Sequence, residues 1–313
     1  MSYLPAKPNT LGLIQLTNID LREIVPFVDW VFFFMAWRMS GKYEGIEEVH
    51  DCLSCKMTWL QTIPEADRPK AEEALKLYRD AQEMLREMLD KKMVSINASF
   101  GIFNAYADDD DIIIEHDNKK TVLPMLRQQH AATDGFCYSL ADFIAPQNDY
   151  LGVFATTVKG VEEYAETFEK DDDVYRSILA KTLSDRLAEA AAEWIHTEVR
   201  KKYWGYAADE NLTIKEILKT QYSGIRPAVG YPSLPDQSII FDLDPILHFN
   251  EVGIKLTENG AMFPNASVCG LYFAHPKSKY FMVGKVDDNQ FKDYARRCGK
   301  EPAVLRKWMA ANL

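Results

Sequence analysis

The 313-residue chain is poor in cysteine, in positive charge, in long apolar runs and in glycine-rich loops, and each shortage removes a class of protein. Five cysteines, an odd number in a chain this long, form no disulfide framework. Cys52 and Cys55 make a CxxC, but no second pair follows. His50 is a third donor at best, so reduced thiols on a helical turn are the expectation rather than a metal centre. Cys137, Cys269 and Cys298 stand among apolar neighbours and read as core or half-core residues. With 36 Lys and Arg against 47 Asp and Glu, the formal charge of −11 leaves no basic footprint for nucleic acid. The apolar patch from Trp30 to Trp37 is too short to span a bilayer as a helix, so it reads as buried core and no membrane partner is expected. The opening MSYLPAKPNTLGLIQL lacks a basic segment leading into a sustained apolar run, so no signal peptide is expected and the cytoplasm is the default location. No GxGxxG, P-loop, internal repeat or low-complexity linker occurs. The acidic run Asp108 to Asp111 lacks the glycine and distal glutamate of a calcium loop and reads as a solvated turn. No Ser/His/Asp or Cys/His set emerges, so no catalytic side chain and no metal ligand is assigned.

What is present is enough apolar sequence, 47% of residues, for a substantial core. Leu75, Tyr78, Ala81, Leu85, Met88 and Leu89 recur at helical steps and predict an amphipathic helix from about Arg68 to Lys91. A second long helix is predicted from Asp173 to Lys202, with a small-residue middle at Ala188 to Ala192 that lets another element come close. Strands are predicted at Met93–Phe103, Asp111–Glu115, Leu151–Thr157, Ala266–Ala274 and Tyr280–Val286, the last two joined as a hairpin through His275 to Lys279. Two short helices end the chain, one after Asp287 and Asp288 and one from Pro302. Strands and helices mix without the alternation of a doubly wound sheet, which predicts an α+β fold with a substantial antiparallel sheet.

The segment Arg226 to Gln237, RPAVGYPSLPDQ, carries the most chemistry. Pro227, Pro232 and Pro235 exclude a helix interior or a central strand. Ala228 and Gly230 leave the backbone open to close approach, and Arg226 offers a fork of donors for a carboxylate or phosphate. The pattern describes a rigid loop for a small anionic, partly aromatic ligand; a proline-rich turn with Arg226 in a structural ion pair satisfies the same spacing.

Three ordered blocks decide how far this can be taken: YSGIRPAVGYPSLPDQ from Tyr222, IKLTENGAMFPNASVCGLYFAHPKSKYFMVGKV from Ile254, and DNQFKDYARRCGK from Asp288. With FVDWVFFFMAWRMSGKY from Phe27, LRQQ from Leu126, SLADFIAP from Ser139, YLGVFATT from Tyr150 and LSDRLAEAAAEWIH from Leu183, they resemble the activation (reactivation) domain of cobalamin-dependent methionine synthase over essentially the whole chain. The resemblance implies one C-shaped domain, residues 1–313, with a curved, largely antiparallel sheet flanked by helices. It implies that S-adenosylmethionine binds at Asp29, Glu189, Arg226, Ala228, Gly230, Tyr231, Tyr280 and Phe281, with Arg226 on the ligand carboxylate. Without it, Asp29 is equally an N-cap and Glu189 one charge among many. The implied role is reductive methylation of cob(II)alamin held by a partner, the cobalamin-binding module of methionine synthase. A flavodoxin-like protein would be the electron donor, and the chain a component of a methyltransferase in methionine biosynthesis.

No DxHxxG cobalamin signature and no paired-cysteine zinc motif occurs, so an activation domain working in trans, free-standing or excised, is the expectation. Arg200, Lys201 and Lys202, with Arg296, Arg297 and Lys300, are candidates to dock an acidic flavodoxin, or else simply cations at helix C-termini. The family histidine is Gln237 here, and Ile239 and Ile240 replace a Glu–Lys pair, which removes any role for those groups. Two alternatives stay open: reactivation of another corrinoid methyltransferase, and a non-catalytic S-adenosylmethionine-binding regulatory module.

Overall fold

The structure, a computed structural model of the chain, describes residues 3–39, 41 and 43–313. Its frame is an antiparallel sheet of β1 (Gly12–Ile19), β2 (Ser95–Asp108), β3 (Asp111–His116), β4 (Lys119–Pro124) and β5 (Asp149–Lys159). A short side ribbon, β6 (Lys255–Leu256) with β7 (Met262–Phe263), precedes the last strand of the main sheet, β8 (Ser267–Tyr272). The hub is β2. Its first half pairs with β1, its second half with β3, and β5 runs along its other edge from Ser95 to Ala105. β8 then pairs with β5, setting Gly270 opposite Phe154.

The helices are α1 (Leu21–Ile24), α2 (Trp30–Ala36), α3 (Leu53–Gln61), α4 (Arg68–Lys91), α5 (Val161–Lys170) and α6 (Val174–Glu198). They are followed by α7 (Ile214–Leu218), α8 (Ile240–Leu247), α9 (Phe249–Val252), α10 (Asp288–Arg297) and α11 (Pro302–Leu305). Successive strand residues point to opposite faces, and both faces are covered. Phe100, Phe154 and Tyr272 lie in one core with residues of α2, α4, α5 and α6. Phe103, Val153 and Leu271 lie in another with residues of α8 and α9. The central strands are therefore buried at nearly every position instead of alternating between buried and exposed. A third small cluster joins Val283, Phe291, Tyr294 and Leu305 at the C-terminal end.

Of all the helices, α6 organises the site. It is capped by Asp173, whose side chain accepts the Arg176 N–H, and is buried on several sides rather than along one stripe. Its alanines 188 and 190–192 let β5 approach until Thr156 Oγ1 donates to the Ala188 carbonyl at 3.0 Å. The predicted helix to Lys202 stops as α-helix at Glu198 and continues as a wider π turn over Val199–Tyr203.

Helix α4 has the predicted bounds, but several other expectations change. Tyr280–Val286 is no strand and makes no hairpin with β8. Its backbone is satisfied piecemeal: Ser233 exchanges hydrogen bonds with both backbone groups of Phe281, the Val283 N–H donates to the Pro232 carbonyl at 2.9 Å, and Gln128 Nε2 donates to the Met282 carbonyl at 2.9 Å. Strands β1 and β4 had no corresponding sequence expectation. The patch Trp30 to Trp37 is only half core: Trp30, Phe33 and Phe34 are buried, whereas Val31, Phe32 and Met35 are exposed. In the acidic run, Asp110 accepts from Arg127 Nε at 2.9 Å and Asp111 is bound by Arg297, so the turn is clamped by cations. Cys52 and Cys55 are joined as a disulfide, not free thiols, because the N-terminal turn of α3 brings them together. Of the cations proposed for docking, Arg200 is fully buried against Glu210 at 2.7 Å, and Arg297 and Lys300 are held by acidic or hydroxyl partners. Among the described residues, no helix is long and apolar enough to cross a membrane, and no His/Cys/Asp/Glu group is placed to hold a metal.

Candidate functional site

The proline loop lies along the outer edge of β8 as an irregular strand. Ile225 and Phe273 exchange backbone hydrogen bonds at 3.1 and 3.0 Å, the Leu271 N–H donates to the Pro227 carbonyl at 3.0 Å, and the Val229 N–H donates to the Cys269 carbonyl at 2.9 Å. Pro227 thus sits at an edge where only its acceptor is used, which is where a strand tolerates proline. Gly230 and Tyr231 then turn the chain: the Gly230 N–H donates to the Leu234 carbonyl and the Leu234 N–H returns to Tyr231, each at 2.8 Å. Gly230 has φ +85°, a conformation that glycine adopts freely.

Between this loop, α6, the start of α2 and the segment at Tyr280 lies a cavity of about 490 Å³, within the roughly 300–1,000 Å³ range of small-molecule sites. Asp29, Glu189, Arg226, Ala228, Tyr231, Tyr280 and Phe281 all line it. Gly230 does not: it shapes the turn that carries Tyr231. Asp29 lines the cavity and also caps α2, its carboxylate accepting the Val31 N–H at 2.9 Å.

Arg226 is the electrostatic centre. Its Nε donates to Glu193 Oε2 at 2.8 Å and its Nη1 lies 3.7 Å from Glu189 Oε2. Its backbone N–H donates to the Tyr280 hydroxyl at 3.0 Å. The Tyr231 hydroxyl donates to Glu189, so that carboxylate links the loop's cation and its aromatic ring. The structural ion pair and the ligand role are therefore compatible: the guanidinium is anchored to α6 through Nε, and Arg226 still lines the cavity. Burial works against ionising Glu193, but the Arg226 guanidinium and the neighbouring His196 together outweigh it and hold the carboxyl down at about 2. Burial likewise disfavours the charge on Arg226, and Glu193, Tyr280, Tyr222 and Glu189 together more than restore it. At Tyr231, burial and then the neighbouring Glu189 push the phenol well up, so it enters the site as a neutral hydroxyl.

Behind the pair, His196 is fully buried, stacked on Tyr272 with ring centroids 5.2 Å apart, and its Nδ1 lies 3.9 Å from Glu193 Oε1, beyond hydrogen-bond reach. Burial pushes its pKa down from 6.5 to about 3. Because the folded value is depressed, the unfolded chain takes up a proton below pH 6.5 that the native chain refuses. Stability is then lost as pH falls from 6.5 towards 3, and Glu193 adds a further loss below 4.5. Urea unfolding between pH 8 and pH 5 is expected to show this fall approaching about 1.4 kcal/mol per pH unit. A His196→Gln variant would have a flatter slope; an unchanged slope would rule out His196 as its source.

The residue the sequence reading missed is Glu193. It stands four positions after Glu189, so both carboxylates share one face of α6, and the signal available was the spacing EAAAE from Glu189. Phe27, Phe32, Arg186 and Tyr222, which stand in the family blocks without being singled out, and Leu218 and Thr220, which stand in none, complete much of the lining.

The donor set fits S-adenosylmethionine: a cation for the carboxylate, carboxylates for the ammonium and sulfonium side, aromatic and apolar walls, and loop backbone at Ala228. The family model described as vitamin B12-dependent methionine synthase, activation domain, matches residues 20–299. A crystal structure described as the MetH reactivation domain bound to AdoHcy is 38% identical, covers 99% of this chain and 93% of its own, and superposes with a TM-score of 0.87. Fold, site chemistry and both comparisons converge: the chain belongs to the activation-domain family of vitamin B12-dependent methionine synthase.

Proposed function

We propose that residues 1–313 form one S-adenosylmethionine-binding module that presents the methyl donor to a cobalamin held by the corrinoid module of methionine synthase, acting in trans. The observation that carries this reading is the Arg226–Glu193–Glu189–Tyr231 network lining one cavity, inside a chain of this family. When bound, S-adenosylmethionine would supply the methyl group that traps cobalamin reduced by a flavodoxin-like donor, leaving methylcobalamin and S-adenosylhomocysteine. The protein's own part is placement. Arg226 orients the carboxylate, Glu189 and Asp29 face the cationic end, and Ala228, Tyr280 and Phe281 hold the adenosine. No side chain moves a proton, so the rate gain comes from proximity and orientation.

Tyr231 is 51% exposed although it lines the cavity, which places it at the mouth, where a corrin would arrive. The test mixes the chain with cob(II)alamin-loaded corrinoid module, a flavodoxin-like donor and S-adenosylmethionine, and follows methylcobalamin by absorbance. Methylcobalamin that requires the added chain supports the in-trans role; none, with ligand binding intact, sinks it and favours a regulatory module. Tyr231→Phe is expected to slow formation about tenfold by releasing Glu189, and a wild-type rate would remove Tyr231 from the mechanism.

A further inference from the structure

Cys52 and Cys55 form the one disulfide among the described residues, while Cys137, Cys269 and Cys298 are free. The bond joins residues only three apart. So short a loop removes little entropy from the unfolded chain, which makes it a poor structural staple. Its surroundings are those of a reactive pair. Cys52 is exposed and is the N-cap of α3, and its Sγ accepts the Cys55 backbone N–H at 3.1 Å and lies 3.3 Å from Ser54 Oγ. These donors and the positive end of the helix dipole face Cys52 Sγ, the sulfur on which negative charge develops as exchange proceeds. Asp51, the adjacent acid, is paired with Arg79 Nε at 3.1 Å. Leu53 and Met57, beside the pair on α3, are exposed like Cys52, while Cys55 is half-buried. None of these residues lines the ligand cavity.

We propose that Cys52–Cys55 is a reversible dithiol–disulfide pair that exchanges two electrons with an external dithiol. A thiolate of that dithiol attacks Cys52 Sγ, the Cys52–Cys55 bond breaks, and Cys55 leaves as a thiolate. The second thiol of the reductant then attacks the mixed disulfide, releasing Cys52 as a thiolate and closing the reductant into its own disulfide. The external dithiol gives up two electrons and two protons, and the two cysteines gain them.

The test equilibrates the full chain in buffers of reduced and oxidised dithiothreitol, traps thiols with a maleimide and reads the labelled peptides by mass spectrometry. The expected result is one step in which Cys52 and Cys55 change together, with Cys137 reduced throughout. In the reduced chain, iodoacetamide should label Cys52 at pH 7 several-fold faster than Cys137, because Cys52 is exposed at the N-terminus of α3 whereas Cys137 is half-buried. A Cys55→Ser variant should keep the fast Cys52 and accumulate a mixed disulfide with oxidised glutathione. Two free thiols in the most oxidising buffer, reduction only after denaturation, or Cys52 labelling no faster than Cys137 would each overturn the proposal.

Discussion

Arg226→Ala is expected to lower affinity for S-adenosylmethionine on the order of 100-fold or more, enough to abolish saturation in a calorimetric titration. Truncating one partner of a buried, hydrogen-bonded charge pair costs about 2–5 kcal/mol in binding. The fold suffers too. Arg226 is only 16% exposed and Glu193 6%, so removing the cation strands a buried carboxylate, at a cost of about 3–5 kcal/mol. A lost titration could then mean only a loosened protein, and the double variant Arg226→Ala/Glu193→Gln separates the two causes. Neutralising Glu193 should return most of the urea-unfolding stability, because the closer and more buried of Arg226's two carboxylate partners then carries no charge, while binding stays lost. If the double variant binds like wild type, Arg226 serves structure alone and the ligand carboxylate has another partner.

Gly270→Ala should have the second largest effect, although residue 270 does not line the cavity. A Cβ there would stand 2.3 Å from the Pro227 carbonyl oxygen, 2.8 Å from Phe154 Cε1 and 2.9 Å from Ala228 Cα. Two of these neighbours are backbone atoms of the binding loop, so the clash is relieved only by moving the loop off β8. The hydrogen bonds from Leu271 to Pro227 and from Val229 to Cys269 go with it. Overpacking of this kind costs about 1–3 kcal/mol, and a loop shift of about 1 Å is enough to spoil a positioned site by about 100-fold. Faster amide exchange at Leu271 and Val229, with weaker ligand binding and unchanged exchange around Phe291 and Tyr294, is the expected pattern. Wild-type affinity would show that the cavity does not depend on the loop's register against β8.

Local patterns settled a good deal. Helix α4 could be read to its ends because its apolar face repeats at helical steps, and Pro69 lies in its first turn. The loop at Arg226 could be read as a loop because three prolines forbid anything more regular. The ordered blocks of family text brought Asp29, Glu189, Arg226, Ala228, Gly230, Tyr231, Tyr280 and Phe281 forward as one set, and all of these except Gly230 line one cavity. Residues distant in sequence could be grouped only through that resemblance, since periodicity acts over one or two turns and carries no information about what lies across a core.

Decisions left to the tertiary structure were those of partnership and burial. Apolar alternation made Tyr280–Val286 look like a strand, but no neighbouring strand offers it a ladder, so side chains and loop carbonyls satisfy its backbone instead. Arg200 read as a surface cation, yet the π turn after α6 rotates it inward onto Glu210. Asp110 and Asp111 read as solvated, yet Arg127 and Arg297 reach them from distant segments. Glu193 was indistinguishable from any other helical glutamate until the fold laid Arg226 across it. Sequence by itself determined where helices and rigid loops could occur and which side-chain chemistry the chain carried, because those follow from local sterics and hydrophobic period. Which charges were buried, paired and aimed into the cavity was decided only when long-range packing set one element against another.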